Sequence, residues 1–513
     1  MRNIFLLFLW ISSLSLTGQK NNNLERAIPE DYGISSGTIL EFINTAEEKI
    51  DAIHSLMIVK NNKVITEAWW SPYDKNTPHE LWSLSKSFTS TAIGFAVQED
   101  LLSIYDLVIS FFPDKKPKDI SWQLNQLRIV DLLTMTTGHT SEPNFYRGEL
   151  DWVSKFLSSE IKFMPGTHFM YNTPATYILS AIIQKVTNEK LVDYLYPRLF
   201  KPLGIDKPEW EEDPIGINVG GWGLHLKTED IAKFGQLYLN KGNWNGKQIL
   251  SEEWINSATS KQVSNGNNPF NDWTQGYGFQ FWRSRYNSYR GDGAMGQFCL
   301  VIPEKDMVIA ITSGTNDLAL VMELVWDIIL PNTSETKISK SDIAYNKLKK
   351  RLSSLSLNPY SNRMGVKNSI MKSFNKEYQI EDNEEGVKSI SFKTGENHNF
   401  IELEMENEKE LISFEYDSFI KNSLKTHLPF TRSRRSKILP KSSLRYKKNK
   451  KIASIGSWLN ENEFQLTNYL YETPVKMTYD FIFSDDGLIV KSTAKNYLGV
   501  SNNELILKSI RYE

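Results

Sequence analysis

The chain has 513 residues, 40% of them apolar and 12% aromatic, so it is too long for one ordinary domain and large enough to bury a core without covalent staples. Lysine and arginine number 59 against 61 acidic residues, and the net charge of −2 excludes a global attraction to nucleic acid or to an anionic membrane. A single cysteine, Cys299, excludes an intrachain disulfide, and its setting in Phe298-Cys299-Leu300-Val301-Ile302 reads as a buried core thiol.

Met1-Arg2-Asn3 followed by the apolar run 4–16 reads as a signal peptide, one basic residue and then an apolar stretch. The run is shorter than the roughly 20 residues that span a bilayer. Small residues at Ser13, Ser15, Thr17 and Gly18 offer cleavage sites, so the leader is predicted over 1–19 and the mature protein in the periplasm or outside the cell. Gly33-Ile34-Ser35-Ser36-Gly37 spells G-x-S-x-G, but the loop-like lead Ile28-Pro29-Glu30-Asp31-Tyr32 is not the buried strand that a nucleophile elbow requires. A helix is predicted over 38–50, then a hairpin of strands 55–59 and 64–70 about Lys60-Asn61-Asn62-Lys63.

Leu81-Trp82-Ser83-Leu84-Ser85-Lys86-Ser87-Phe88 then opens a helix whose apolar stripe includes Phe88, Ala92, Phe95 and Ala96. Ser83 stands at its start, with Lys86 one turn on and on the same face. A serine hydroxyl needs a neighbouring base before it becomes a good nucleophile. Lysine can be that base if burial and neighbours lower its pKa from about 10.4 toward about 7–8. Residues 100–240 read as mostly helical and carry Pro165-Gly166-Thr167-His168-Phe169-Met170-Tyr171-Asn172-Thr173.

A strand is predicted over 276–283. Next come Gly291-Asp292-Gly293-Ala294-Met295-Gly296-Gln297, a hairpin of 297–302 and 307–313, and a helix over 318–330 ended by Pro331-Asn332. After about residue 335 period-two alternation with regular turns predicts an antiparallel sandwich or small barrel. Within that tail, Lys393-Thr394-Gly395 is a chance tripeptide far from the other motifs. Residues 431–451 hold ten lysines or arginines and no acid, and without interleaved aromatics they read as a solvated face or loop. None of the 7 histidines forms an i,i+3 or i,i+4 pair, and no glycine-rich phosphate loop follows a strand, so no metal or nucleotide cofactor is expected.

The order and spacing of S-x-x-K at Ser83 and Lys86, of Tyr171-Asn172-Thr173 and of Ala294-Met295-Gly296 resemble the serine β-lactamase and penicillin-binding-protein superfamily. The branch resembled is that of class C β-lactamases, DD-carboxypeptidases and esterases. Softer echoes are Asp131-Leu132-Leu133-Thr134, Pro202-Leu203-Gly204-Ile205 and Gly220-Gly221-Trp222-Gly223. The resemblance implies an α/β domain over 25–335, an antiparallel sheet flanked by helices with a helical insert. The all-β domain over 336–513 is similar to the lipocalin-like domain that follows some of these hydrolases.

By the same resemblance Ser83 is the nucleophile, with Lys86 and Tyr171 moving its proton, and whether Lys86 or Tyr171 is the base stays open. The oxyanion hole would be the backbone N–H groups of Ser83 and Gln297, and Thr173, Ala294, Met295 and Gly296 would contact substrate. Two departures stand out. Thr173 replaces the asparagine of Y-x-N, and Ala294-Met295 replace the Lys-Thr or His-x pair. The loss of the carboxylate-binding lysine moves the expectation toward an exported esterase or amidase acting on small esters, amides or peptides, with no nucleic-acid partner and no membrane span once the leader is removed. The alternatives are a β-lactamase or D-amino-acid peptidase, or a degenerate ligand-binding member. Because these residues all precede residue 300, the first domain is expected to work without the tail.

Overall fold

In the computed structural model the apolar run at 55–59 lies within a strand, Ile53–Lys60, that is buried along its whole length. The structure describes residues 23–143, 150–360, 376–383, 386–396, 398–406, 408–424, 450–495 and 505–510. The predicted leader and nearly all of the basic run 431–451 lie outside the described residues.

Besides a small hairpin of Asn243–Trp244 and Lys247–Gln248, the strands of the first unit are β1 (Glu25–Arg26), β2 (Ile53–Lys60), β3 (Lys63–Trp69), β4 (His79–Glu80), β5 (His225–Leu226), β6 (Trp282–Arg283), β7 (Tyr289–Gly293), β8 (Gln297–Ile302) and β9 (Met307–Ser313). Seven of them form one sheet in the order β1-β3-β2-β9-β8-β7-β6, while β4 and β5 pair as a small side sheet. Only β1 with β3 is parallel. Asn61 and Asn62 take positive φ in the β2–β3 turn, which asparagine tolerates better than most residues.

Both faces of the sheet are covered, so its central strands are buried throughout and their alternating side chains feed two cores. Met57, Val59, Cys299, Val301, Val308 and Ala310 pack with Phe88 of helix α2 (Ser85–Gln98), with α3 (Thr173–Thr187) and with Phe234 of α4 (Thr228–Leu239). Leu56, Ile58, Leu300, Ile309 and Ile311 pack on the opposite side with α1 (Ser36–Lys49) and the helix Leu318–Leu324. Ser35 is the N-cap of α1, its hydroxyl accepting from the Thr38 N–H at 2.9 Å. Helix α5 (Asp342–Leu352) also packs here, and Leu348 and Leu355 carry the second core past residue 335.

Helix α4 lies so close to the sheet that a Cβ on Gly235 would meet Val308 Cγ1 at 2.6 Å and Cys299 Sγ at 2.8 Å. Gly235→Ala is therefore expected to destabilise the first unit by about 1–3 kcal/mol, the usual cost of overpacking, despite alanine's better helix propensity. Thermal unfolding checks it.

The segment expected as a strand over 276–283 is regular only at Trp282–Arg283. Gln280 breaks it with a φ of 63°, turning inward so that its amide donates to the Leu132 and Leu133 carbonyls. The tail forms an all-β unit. Strands Glu377–Gln379, Val387–Thr394, Asn399–Met405 and Lys409–Phe414 make one sheet. The second contains Ile420–Leu424, Lys450–Asn460, Glu463–Tyr469, Lys476–Ser484, Gly487–Lys495 and Leu505–Lys508. Bridges Glu415 to Ile455 and Ile380 to Ser509 link the two sheets, which enclose one apolar core as a small barrel. Its interior is packed with rings, Phe392 5.1 Å from Phe481 and Phe414 5.0 Å from Phe464. Lys393 of the chance tripeptide pairs with Glu402 on the barrel surface.

Candidate active site

Helix α2 begins at Ser85, and Ser83 occupies the single tight turn Trp82–Leu84 that leads into it. Trp82 holds a φ of 50°, a left-handed conformation that bulky residues adopt only when their surroundings enforce it. Lys86 is 1% exposed. Its ammonium donates to Ser83 Oγ at 3.0 Å and to the Gly221 carbonyl at 2.8 Å. Burial draws the lysine pKa down to about 7, against the opposing pull of Glu142 and Asp292. That is the range in which an amine both accepts and returns protons at neutral pH.

Tyr171 is delivered by the start of α3. Asn172 caps that helix, its Oδ1 accepting from the Ala175 N–H at 3.3 Å while its Nδ2 donates to Thr137 Oγ1 at 3.0 Å. Fixed in this way, the Tyr171 ring stacks on Trp282 at 5.5 Å and its phenol lies near the Ser83 side chain. The Lys86 ammonium lies 4.9 Å from the Tyr171 ring centroid. Burial, with Asp292 adding to it, raises the phenol pKa well above the ordinary value. Thr173 opens α3, and its N–H donates to Glu142 Oε1 at 2.7 Å.

The third motif is a tight turn between β7 and β8. Met295 and Gly296 have φ of 65° and 82°. A Cβ on Gly293 would lie 2.1 Å from the Leu81 carbonyl and 3.1 Å from Trp82 Cβ, so this glycine abuts the segment that carries Ser83. A Cβ on Gly296 would instead meet Ser313 Oγ at 2.2 Å. Gln297 is buried across the hairpin from Gly293, its amide donating to the Ser313 carbonyl at 2.7 Å. The structure thus brings Ser83, Lys86 and Tyr171 together and sets Gly293 against the turn that carries Ser83. Gly296 and Gln297 face the β9 side of the turn, and Met295 is buried, its carbonyl accepting from Ser313 Oγ at 2.8 Å.

Four groups close to this constellation have no role in the sequence-based reading. Asp292 is buried beside Lys86 and Tyr171, and Arg290, two residues back on the same face of β7, donates to it at 2.9 Å. Burial raises the Asp292 pKa, opposed by Arg290. The Arg290 guanidinium is 4.5 Å from the Trp273 ring centroid. The i,i+2 spacing of Arg290 and Asp292 is a readable signal for a strand pair. Gly221 sits within the Gly220-Gly221-Trp222-Gly223 echo, whereas nothing local marks Glu142.

A family model described as Beta-lactamase matches residues 43–328. A protein of Salmonella agona (strain SL483), named "Putative D-alanyl-D-alanine carboxypeptidase", is 27% identical over 252 residues, covering 42% of this chain and 58% of the relative. The chain therefore spans less than two thirds of that relative's length. Among solved structures, the octameric penicillin-binding protein homologue from Pyrococcus abyssi has 16% identity and a TM-score of 0.45, covering 92% of this chain and 98% of that one. A beta-lactamase from Mycobacterium bovis has 16% identity and a TM-score of 0.43, covering 57% of this chain and 100% of that one. The family match takes in more than half of the chain and every element described around Ser83, from the helix α2 that it precedes to the β7–β8 turn, and this chain belongs to the beta-lactamase family.

Proposed function

We propose that this protein is a serine hydrolase that cleaves an ester or amide bond through a covalent acyl-serine intermediate. The observation that carries the proposal is the buried Lys86 ammonium 3.0 Å from Ser83 Oγ, with a pKa of about 7. Neutral Lys86 takes the Ser83 proton as Oγ bonds to the substrate carbonyl carbon. The oxyanion is held by backbone N–H groups of Ser83 and, in this proposal, of Ala294 rather than Gln297. Gly293 pressed against Leu81 and Trp82 supports that assignment, since it puts the following peptide beside the nucleophile. Collapse expels the leaving group, which takes a proton passed from Lys86 through the Tyr171 hydroxyl. Water then adds to the acyl-enzyme and Ser83 is regenerated. Lys86 is the better base of the two, because the raised Tyr171 pKa keeps its phenol protonated at neutral pH and fits it to relay a proton.

The charge around the site favours substrates without a carboxylate. Arg290 is fully buried and bound to Asp292, so its charge is already matched. Ala294 and Met295 supply none. A charge-assisted bond to a substrate carboxylate is worth roughly twice a neutral one, and neither Ala294 nor Met295 can donate it.

Labelling with a fluorophosphonate probe tests the proposal. Wild-type protein should be labelled, and Ser83→Ala should lose the label entirely. A folded wild-type protein that takes no label would leave the ligand-binding alternative. A panel of uncharged aryl esters, D-peptides and a chromogenic cephalosporin sorts the substrate class. We further propose export through the leader over 1–19, and recovery of exported protein with Met1 intact would count against it. No helix among the described residues is long and apolar enough to cross a membrane.

A further inference from the structure

The side sheet of β4 and β5 is flanked by both acceptors of the Lys86 ammonium. His79 pairs with Leu226 and Glu80 with His225, and the Leu81 N–H donates to the Leu224 carbonyl at 2.8 Å. Ser83 follows directly from the β4 side of this pairing, and Gly221 precedes the β5 side. The segment leaving one strand therefore carries Ser83 Oγ and the segment entering the other carries the Gly221 carbonyl, the two atoms to which Lys86 donates at 3.0 and 2.8 Å.

The outer edge of β4 is occupied by the C-terminal barrel. The Glu80 N–H donates to the Glu472 carbonyl at 2.8 Å, so the barrel turn between Tyr469 and Lys476 is hydrogen-bonded to the outer edge of β4. Next to it the Tyr73 hydroxyl donates to the Thr473 carbonyl at 2.9 Å. Tyr73 is held from behind by His54, stacked at 3.8 Å, and His54 bonds His79 of β4 at 3.1 Å. Tyr73, Ala453, Tyr469 and Tyr471 bury one another in a small core shared by the two units. The turn is braced internally, Leu470 N–H to the Val475 carbonyl at 3.0 Å and Thr473 N–H to the Leu470 carbonyl at 2.7 Å. A stiff turn is therefore clamped on a sheet whose two strands set the reach of the lysine.

We propose that the barrel turn at 470–475 is a positioning part of the hydrolase site, holding β4 against β5 so that Ser83 and Gly221 stay within reach of one ammonium. The inference rests on the hydrolase proposal and runs against the sequence-based expectation that the first unit works without the tail. Misplacement of reacting groups by 1 Å can cost about 10²-fold in rate, so a clamp of this kind acts on kcat.

Three full-length variants test it: deletion of Glu472 and Thr473, Tyr73→Phe, and Lys393→Ala as a control that removes the ion pair with Glu402 on the barrel surface. Each is assayed on an uncharged aryl ester across pH, with near-ultraviolet circular dichroism and thermal melting to follow both units. The deletion should lower kcat by about tenfold or more with KM unchanged. It should also move the acid limb of kcat/KM upward from about 7, because burial sets that value and a loosened side sheet admits water among Lys86, Tyr171, Glu142 and Asp292. Tyr73→Phe should show the same split with a smaller loss, and Lys393→Ala should match wild type. Unchanged kcat and acid limb in both interface variants would overturn the proposal, as would a fall in kcat that only tracks the fraction unfolded. If the deletion variant does not fold, Tyr73→Phe decides alone. Failure of the wild type to label at Ser83 would remove the hydrolase proposal instead, which keeps the two outcomes distinct.

Discussion

Lys86→Ala is expected to lower kcat by about 10²–10⁴-fold, the usual worth of a positioned proton-transfer group, while KM changes little. The ammonium is 1% exposed and spends its hydrogen bonds on Ser83 and Gly221, so it has little to do with holding substrate. Tyr171→Phe should give a loss of the same kind. The double variant should be scarcely worse than the worse single, because both residues serve one proton path from Ser83. In wild type, activity should rise with pH through about 7, since only neutral Lys86 can accept the serine proton. That limb should vanish in Lys86→Ala. Steady-state kinetics over pH measure all of this, and strictly additive losses would mean that the two residues do not share a proton.

Gly293→Ala should cost about 10²–10³-fold in kcat, comparable to removing one oxyanion donor. The added methyl would sit 2.1 Å from the Leu81 carbonyl, which is backbone and cannot swing aside. The β7–β8 hairpin must then back away from the nucleophile turn and take the Ala294 N–H with it. Gly296→Ala supplies the contrast. It is strained at a φ of 82° and meets Ser313 Oγ at 2.2 Å, so it should lower the melting temperature and leave kcat far less affected. The reverse pattern, with kcat lost at Gly296 and kept at Gly293, would return the oxyanion role to Gln297.

That contrast marks where the sequence is ambiguous. Strands over 297–302 and 307–313 are legible to the residue, because an unbroken apolar run between turn signals has one sensible outcome in a sheet covered on both faces. Ser83 and Lys86 are legible as neighbours because residues three apart share a face even when the first sits in the turn ahead of the helix. The Gly291-to-Gln297 stretch is different. Glycines at 291, 293 and 296 let more than one tripeptide sit beside the nucleophile, and only the close approach to Leu81 decides which does. Glu142 and Gly221 reach the site through pairings far away in the chain, to the Thr173 N–H and to Lys86, and no local pattern announces such contacts. Gln280 misled the strand assignment because its amide found buried carbonyl acceptors at 132 and 133, a tertiary gain that overrides local propensity.

The pairing of β2 with β9, Ile58 opposite Ile309, has a consequence for the order of synthesis. Contacts between residues so far apart form slowly, because the loop between them must close before they are rewarded. When the ribosome has finished the helix bearing Lys86, neither Tyr171 nor the Ala294 peptide yet exists, and β2 has only β3 beside it. The nascent chain therefore carries its serine in an unassembled and chemically silent form. In the proposed hydrolase, turnover starts only after the strand ending at Ser313 has threaded between β2 and β8, so a chain released before that point retains the nucleophile without the enzyme.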